Sequence, residues 1–360
     1  MKKIAIFHNF LDNIGGAELV DLTMARELNA DIYTTNIDAE KIKKMGFEDV
    51  LPRVFSIGKV PINAPFKQEF SYWKFRKLNL TGKYDFFIIA GDWAMSASLK
   101  NKPHFWYVYS PTRELWDLHK YTRQNLVAPW KRPLFDAWVF VRRIINKHDA
   151  KNVQKAVSIS NVVKQRLKKY LNIDSEVIYP PTETSKYYFG KTGDYWLSVN
   201  RLLNFKRIDL QLKAFEKLPS EKLIIVGSYE KSSHFLKYTN YCKKIKPSNV
   251  EIRSWVSHKE LIDLYANCKG FITTSKDEDY GMNVVEAMAS GKPVIAPAEG
   301  GYLETIINGT TGILIENIDE NKLAGAIKSI KNPGAYKNAC IEQAKKFDTK
   351  IFIEKIKHLL

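Results

Sequence analysis

Short apolar runs alternate along the chain with longer stretches whose apolar positions recur at helical spacing, the pattern left by parallel sheets covered by helices. Ile4–Phe7 reads as a first buried strand. A loop holding Gly15-Gly16 follows, then a helix over Ala17–Leu28 whose Leu19, Leu22, Met24 and Leu28 line an inner face. Ile32–Thr34, Phe86–Ala90, Phe105–Tyr109, Val157–Ser160 and Val177–Tyr179 read as further strands, and Pro180-Pro181 stops regular structure. A second series begins at Trp196–Val199 and continues with Leu223–Val226, which ends at Gly227-Ser228, then Val250–Ile252, Phe271–Thr274, Val294–Ala296 and Ile313–Ile315. Ser257 is placed to cap a helix, with Glu260 in the capping-box position. The two series split near Ser185 and predict an α/β protein of two Rossmann-like domains facing each other across a cleft: residues 1–185, residues 186–340, and a terminal helix over 341–360 packing back toward the first domain.

Length agrees, since 360 residues exceed what one core usually serves and 45% hydrophobic residues fill two. Charge adds a partner class. The net charge is +17, of which residues 1–180 carry 29 basic minus 18 acidic, or +11, and the remainder 27 minus 21, or +6. An anionic partner is implied, most strongly for the first half, unless the scattered lysines reflect only a Lys-, Ile- and Asn-rich composition. Cys242, Cys268 and Cys340 are too far apart for a redox or zinc motif and odd in number, which points to a reducing cytosol. The apolar start ends by His8-Asn9, too short for a signal peptide, and no run approaches the roughly 20 apolar residues of a spanning helix. Any membrane contact is then peripheral.

The candidate chemistry sits at strand ends. In Ser275-Lys-Asp-Glu-Asp-Tyr-Gly-Met-Asn-Val-Val-Glu286, Gly281 lets the backbone turn, and a helix starting near Met282 and Asn283 directs unpaired amides at a phosphate. Glu286, early in that helix, can accept bonds from ribose hydroxyls, and Glu278, in the loop before it, from a sugar. Arg201 and Lys206 follow the Trp196–Val199 run, where two fixed cations stabilise the charge that grows on a departing diphosphate and take the place of a metal. Arg207 is the spare, solvated or paired. Gly15-Gly16 is half of a phosphate-binding turn or a plain tight turn, and Gly300-Gly301 borders the nucleotide or forms a simple loop. These features converge on a sugar attached to a diphosphate.

These segments resemble a retaining family 4 glycosyltransferase of GT-B architecture. The resemblance rests on Arg201-Leu-Leu-Asn-Phe-Lys206, on the stretch from Glu278 to Glu286-Ala-Met-Ala-Ser-Gly-Lys-Pro293, and on Glu299-Gly-Gly-Tyr-Leu-Glu-Thr-Ile-Ile-Asn-Gly-Thr-Thr-Gly-Ile-Leu314, with weaker support from Asn9–Glu18 and from Ser158 to Pro181. It implies a nucleotide-sugar donor on the C-terminal domain, an acceptor on the N-terminal domain, and retention of configuration with no metal or other cofactor required. Arg201 and Lys206 would bind diphosphate, Glu278 the donor sugar, Glu286 the ribose, and Trp255 and Val256 would flank the base, though Trp255 serves equally as core packing. Resemblance to mannosyltransferases makes GDP-mannose the expected donor and a UDP-sugar the alternative.

One segment departs from the family. Where relatives carry a histidine that contacts the donor sugar, this chain reads Tyr109-Ser110-Pro111-Thr112-Arg113, and tyrosine keeps a donor but loses a proton acceptor near neutral pH. Tyr109, Arg113 and Trp116 are candidates to border sugar or acceptor; alternatively Arg113 pairs with Asp117 one turn on. His104 and His119 fall outside the motif and read as structural or solvated. The segments 65–77 and 128–147 mix aromatics with cations, which fits either an anionic membrane surface serving a lipid-linked glycan acceptor or internal packing through Trp138, Val141, Ile144 and Ile145. The competing readings are a catalytically weakened nucleotide-sugar-binding subunit, a basic nucleic-acid binder without a recognition motif, and a dinucleotide oxidoreductase without the full glycine fingerprint.

Overall fold

A computed structural model describes residues 2–227, 233–254 and 256–360. The chain divides into two compact units, Met1–Tyr179 with Phe352–Leu360, and Pro180–Ile351.

The first unit holds seven parallel strands: β1 (Ile4–Phe7), β2 (Asp31–Thr34), β3 (Val54–Ser56), β4 (Phe86–Ile89), β5 (His104–Val108), β6 (Ala156–Ser158) and β7 (Glu176–Val177), in the order β3-β2-β1-β4-β5-β6-β7. Its helices are α1 (Gly16–Leu28), α2 (Ala39–Lys44), α3 (Phe66–Lys77), α4 (His119–Asn125), α5 (Arg132–Ala150) and α6 (Asn161–Leu171). β1 and β4 are buried at every position, which is why they read as unbroken apolar runs. Ala5 pairs with both Asp31 and Phe87.

Expectation and structure differ at edges. The edge strand β3 has no buried residue and so left no apolar run to read. Ser160 lies outside β6 because its hydroxyl caps α6, accepting from the Val163 amide at 3.2 Å. The inner face of α1 is shifted: Val20 and Asp21 are buried with Leu22, Met24 and Leu28, whereas Leu19 is only half-buried.

The second unit repeats the plan with β8 (Tyr195–Val199), β9 (Lys222–Val226), β10 (Val250–Arg253), β11 (Gly270–Ile272), β12 (Val294–Pro297) and β13 (Gly312–Ile315), all parallel, in the order β10-β9-β8-β11-β12-β13. Helices α7 (Ile208–Glu216), α8 (Ser233–Ile245), α9 (His258–Asn267), α10 (Met282–Ala289), α11 (Tyr302–Thr305), α12 (Glu320–Ser329) and α13 (Lys337–Lys345) connect them. The chain returns to the first unit within α14 (Thr349–Lys357), and inside that unit the Phe352 and Tyr107 rings meet edge to face at 5.7 Å. Strand order reverses direction between β1 and β4 in one sheet and between β8 and β11 in the other. At such switch points the loops leave toward opposite faces and open a crevice at the carboxyl ends.

One core of the second unit gathers Trp196, Phe215, Ile272, Ile295 and Leu323. Gly270 on β11 makes room for the Trp196 indole, since a Cβ there would stand 2.6 Å from Cζ3, and the indole N–H donates to Glu221 at 3.0 Å. Trp196→Ala leaves a cavity and removes one donor from that carboxylate, which keeps its pairing with Lys269 at 2.7 Å, so a loss of about 3–5 kcal/mol, from the cavity, is expected in urea denaturation.

Candidate functional site

The loops leaving β8 and β11 meet at the switch point of the second sheet. The Thr274 hydroxyl donates toward the carbonyls of Lys206 (2.8 Å) and Arg207 (3.0 Å), and the Lys276 amide donates to Phe205 O at 2.8 Å. Arg207, in the left-handed region at φ 50°, returns its guanidinium to Thr274 O at 2.6 Å and pairs with Glu299. It is paired, and it ties a third loop to the other two.

This frame brings Lys206 and Glu278 together. The ammonium lies 2.5 Å from Glu278 Oε2, with both side chains mostly buried. The pair therefore joins a cation expected to serve a diphosphate to a carboxylate expected to serve a sugar. Arg201 is exposed at the start of the same loop.

Gly281 opens α10 at φ +89°, where a Cβ would stand 2.6 Å from the Tyr302 ring. The first-turn amides of Met282 and Asn283 lie at the N-terminal end of α10. The Asn283 side chain donates to Val199 O at 2.7 Å, fastening the helix to the end of β8. Glu286 accepts from the Tyr265 hydroxyl at 2.8 Å and also from Tyr187; burial raises its carboxyl pKa and the two hydroxyls oppose that rise.

Gly300 and Gly301 have a role that sequence left open. Cβ atoms there would stand 2.5 Å from Glu278 O and from Tyr280 Cα, and the Gly301 amide donates to Glu278 O at 2.8 Å. They form the bed of the Glu278 loop. Lys292 of the Gly-Lys-Pro motif is buried, donating to Lys191 O at 2.6 Å beneath Phe189. Val256 is half-buried ahead of Ser257, whose hydroxyl accepts from the Glu260 amide at 3.2 Å; Trp255 and Ser228 lie outside the described residues.

In the first unit, Gly15 holds the N-cap position of α1 in extended backbone and Gly16 begins the helix. Tyr109 leaves the end of β5 and donates to the buried Asp21 at 2.6 Å; burial, then the Asp21 charge, pushes its pKa well up. His8 Nδ1 stands 2.5 Å from the other Asp21 oxygen. Burial lowers the imidazole pKa, but Asp21 outweighs it and the net shift is upward. Arg113 pairs with Asp117 at 2.7 Å. His104 bonds Asn101 O and the Gln154 amide, and His119 stacks on Phe135.

Sequence reading missed Thr274, Tyr187, Tyr265, His8, Asp21, Asp92 and Glu114. Asp21 alone left a signal, a charge within the apolar register of α1. The Glu114 carboxyl is pushed up to about 7 by burial and then by the neighbouring Asp92 charge. Among the described residues no group of three or more His, Cys, Asp or Glu is placed to hold a metal ion, and no helix is long and apolar enough to cross a membrane.

Residues 182–347 match the family Glycosyl transferases group 1. This segment lies within the second unit and contains Arg201, Lys206, Glu278 and Glu286. An uncharacterized glycosyltransferase of Methanocaldococcus jannaschii is 28% identical over 214 residues, 59% of this chain and 60% of that protein, so the chain spans less than two thirds of this relative's length. An O-antigen chain mannosyltransferase of Salmonella typhimurium is 28% identical over 262 residues, 66% of this chain and 73% of that one. Among solved structures, Anabaena HepE in complex with UDP and glucose superimposes with a TM-score of 0.77 at 17% identity, covering 100% of this chain and 99% of its own. Two Rossmann-like parallel sheets with this likeness make the fold GT-B, as the sequence led us to expect.

Two outcomes follow from this geometry. Gly281→Ala forces a strained φ against Tyr302 and should lose about 1–3 kcal/mol in urea denaturation. Glu114 titrates above its ordinary 4.5 when folded, so the stability it confers is complete below that value and is lost as pH rises through about 7. Glu114→Gln should flatten the fall in Tm across that interval.

Proposed function

We propose that the chain is a retaining glycosyltransferase that moves a sugar, mannose from GDP-mannose, to a glycan or a lipid-linked glycan. The observation that carries this reading is the Lys206–Glu278 pair at the switch point of β8 and β11. The match of residues 182–347 to Glycosyl transferases group 1 supports the reaction class. The Salmonella relative named as a mannosyltransferase supports the sugar, and the HepE complex makes UDP the base to test against GDP.

In the reaction, the bond from the anomeric carbon to the diphosphate oxygen breaks as the acceptor hydroxyl attacks from the same face. The acceptor proton passes to the departing oxygen, so nucleoside diphosphate leaves with the bonding electrons and no protein nucleophile is consumed. Lys206 and Arg201 stabilise the diphosphate most when its charge is fully developed, which lowers the barrier rather than merely tightening binding. As the donor engages Lys206, Glu278 is left to accept bonds from sugar hydroxyls. Glu286, steadied by Tyr265 and Tyr187, takes the ribose, and Trp255 with Val256 borders the base. In this reading the acceptor belongs to the N-terminal domain, 1–185, and the donor to 186–340.

A second reading is favoured by Tyr109, whose hydroxyl is committed to Asp21 where the resembling family presents a histidine. It makes the chain a nucleotide-sugar-binding subunit with little turnover.

Thermal shift against GDP, UDP and ADP should give a selective rise with GDP. Lys206→Ala and Glu278→Gln should each lower kcat/KM for donor turnover by roughly a hundredfold or more while the circular-dichroism spectrum stays that of the folded parent. Wild-type rates in both variants would overturn the assignment, and binding without turnover in the parent chain would favour the second reading.

A further inference from the structure

Two helices of the first unit are built inside out. On α5 the inward positions include Arg142 and Asp149, while Leu134, Phe140, Val141 and Ile144 face solvent. Of the apolar positions that read as one helical stripe in the sequence, Trp138 and Ile145 turn in and Val141 and Ile144 turn out. The helix α3 likewise exposes Phe66, Phe70 and Trp73 in one stripe, from Trp73 at 48% exposed to Ile62, ahead of the helix, at 81%. A water-facing surface helix ordinarily has the opposite polarity.

The contacts between these helices set the direction of both stripes. Glu69 accepts from Trp138 Nε1 at 2.7 Å and pairs with Arg142, while Tyr72 and Arg76 reach Asp149 at 2.6 Å. Partner numbers rise together, so α3 and α5 run parallel. Each residue advances a helix by roughly 100°. The α3 stripe at 66, 70 and 73 lies about one position after its contact residues 69, 72 and 76, and the α5 stripe, centred on 141 and 144, about one position before its own. For parallel neighbours those opposite rotations bring both stripes to the same side. Trp130, in the turn ahead of α5, is 75% exposed.

Charge completes the surface. The carboxylates of these segments, Glu69, Asp136 and Asp149, are paired with Arg142, Arg123 and Arg76. The exposed lysines Lys77 and Lys151 stand seven residues after Phe70 and Ile144 and so continue the two stripes. An apolar, aromatic-bearing face rimmed by cations matches an anionic bilayer, with rings at the headgroup level and ammonium groups on phosphates. A second copy of the same face would set like charges against each other.

We infer that the α3–α5 face docks the chain on an anionic membrane surface. This deepens the proposed use of a lipid-linked acceptor by naming the surface, and it is tested without donor or acceptor. The full chain should co-float with vesicles of phosphatidylcholine containing about 30 mol % phosphatidylglycerol, bind neutral vesicles roughly tenfold less, and be released by high salt. Brominated lipid should quench fluorescence through Trp73 and Trp130. The triple variant Phe70→Ser, Phe140→Asp, Ile144→Asp should lose flotation at least about tenfold while keeping its Tm and its nucleotide-induced shift.

Absence of flotation at low salt, or equal flotation of the variant, would overturn the inference. So would a concentration-dependent dimer in sedimentation that the same substitutions abolish, since the face would then join two copies. Flotation without any nucleotide shift would leave this surface standing and remove the donor reading, and the converse would do the reverse.

Discussion

Thr274 stitches the loop leaving β11 to the loop leaving its neighbour β8. Its hydroxyl reaches the carbonyls of Lys206 and Arg207 and receives the Gln211 amide at 2.9 Å, all in the interior of the second unit. A parallel sheet leaves its strand-end loops without partners of their own. At the β8–β11 switch point this hydroxyl supplies the missing partner, and Arg207 adds a guanidinium bridge to a third loop. The position of Lys206 against Glu278 follows from that frame, because neither residue lies in an α-helix or a strand.

Glycine completes the frame by subtraction. At Gly281, Gly300 and Gly301 a methyl group would meet a ring or backbone at 2.5–2.6 Å, so the loop carrying Glu278 lies directly on the chain beneath it. The loop is held from one side by hydrogen bonds and from the other by close backbone packing. A charged pair placed this way needs little rearrangement when a charged ligand replaces one of its members.

The strands were legible because a strand buried on both faces must be apolar throughout, as β1 and β4 are. β3 was not, since an edge strand with no buried residue writes no such pattern. Glu278, Glu286 and Lys206 stood out as charges next to apolar runs and a glycine. Strand order did not stand out, and it alone decides which loops meet. Thr274 therefore looked like the last residue of a strand, and Gly300-Gly301 like either a border of the nucleotide or a simple loop. The first unit was harder: His8, Asp21 and Tyr109 lie apart in sequence, and their association depends on α1 lying over the ends of β1 and β5, which β4 separates. Asp21 could be suspected from its place in α1, but neither of its partners could.

The reversed helices carry a mechanical consequence. Left to hydrophobicity alone, α5 would roll about its axis until its aliphatic residues were sheltered, and α3 would do the same. The Glu69–Arg142 and Arg76–Asp149 pairs act as a ratchet against that motion, because any roll strips partly buried ions of their counter-ions at a cost of several kcal/mol. Greasy side chains are thus held outward by salt links behind them, and the orientation is preset in the lone molecule before it meets anything else.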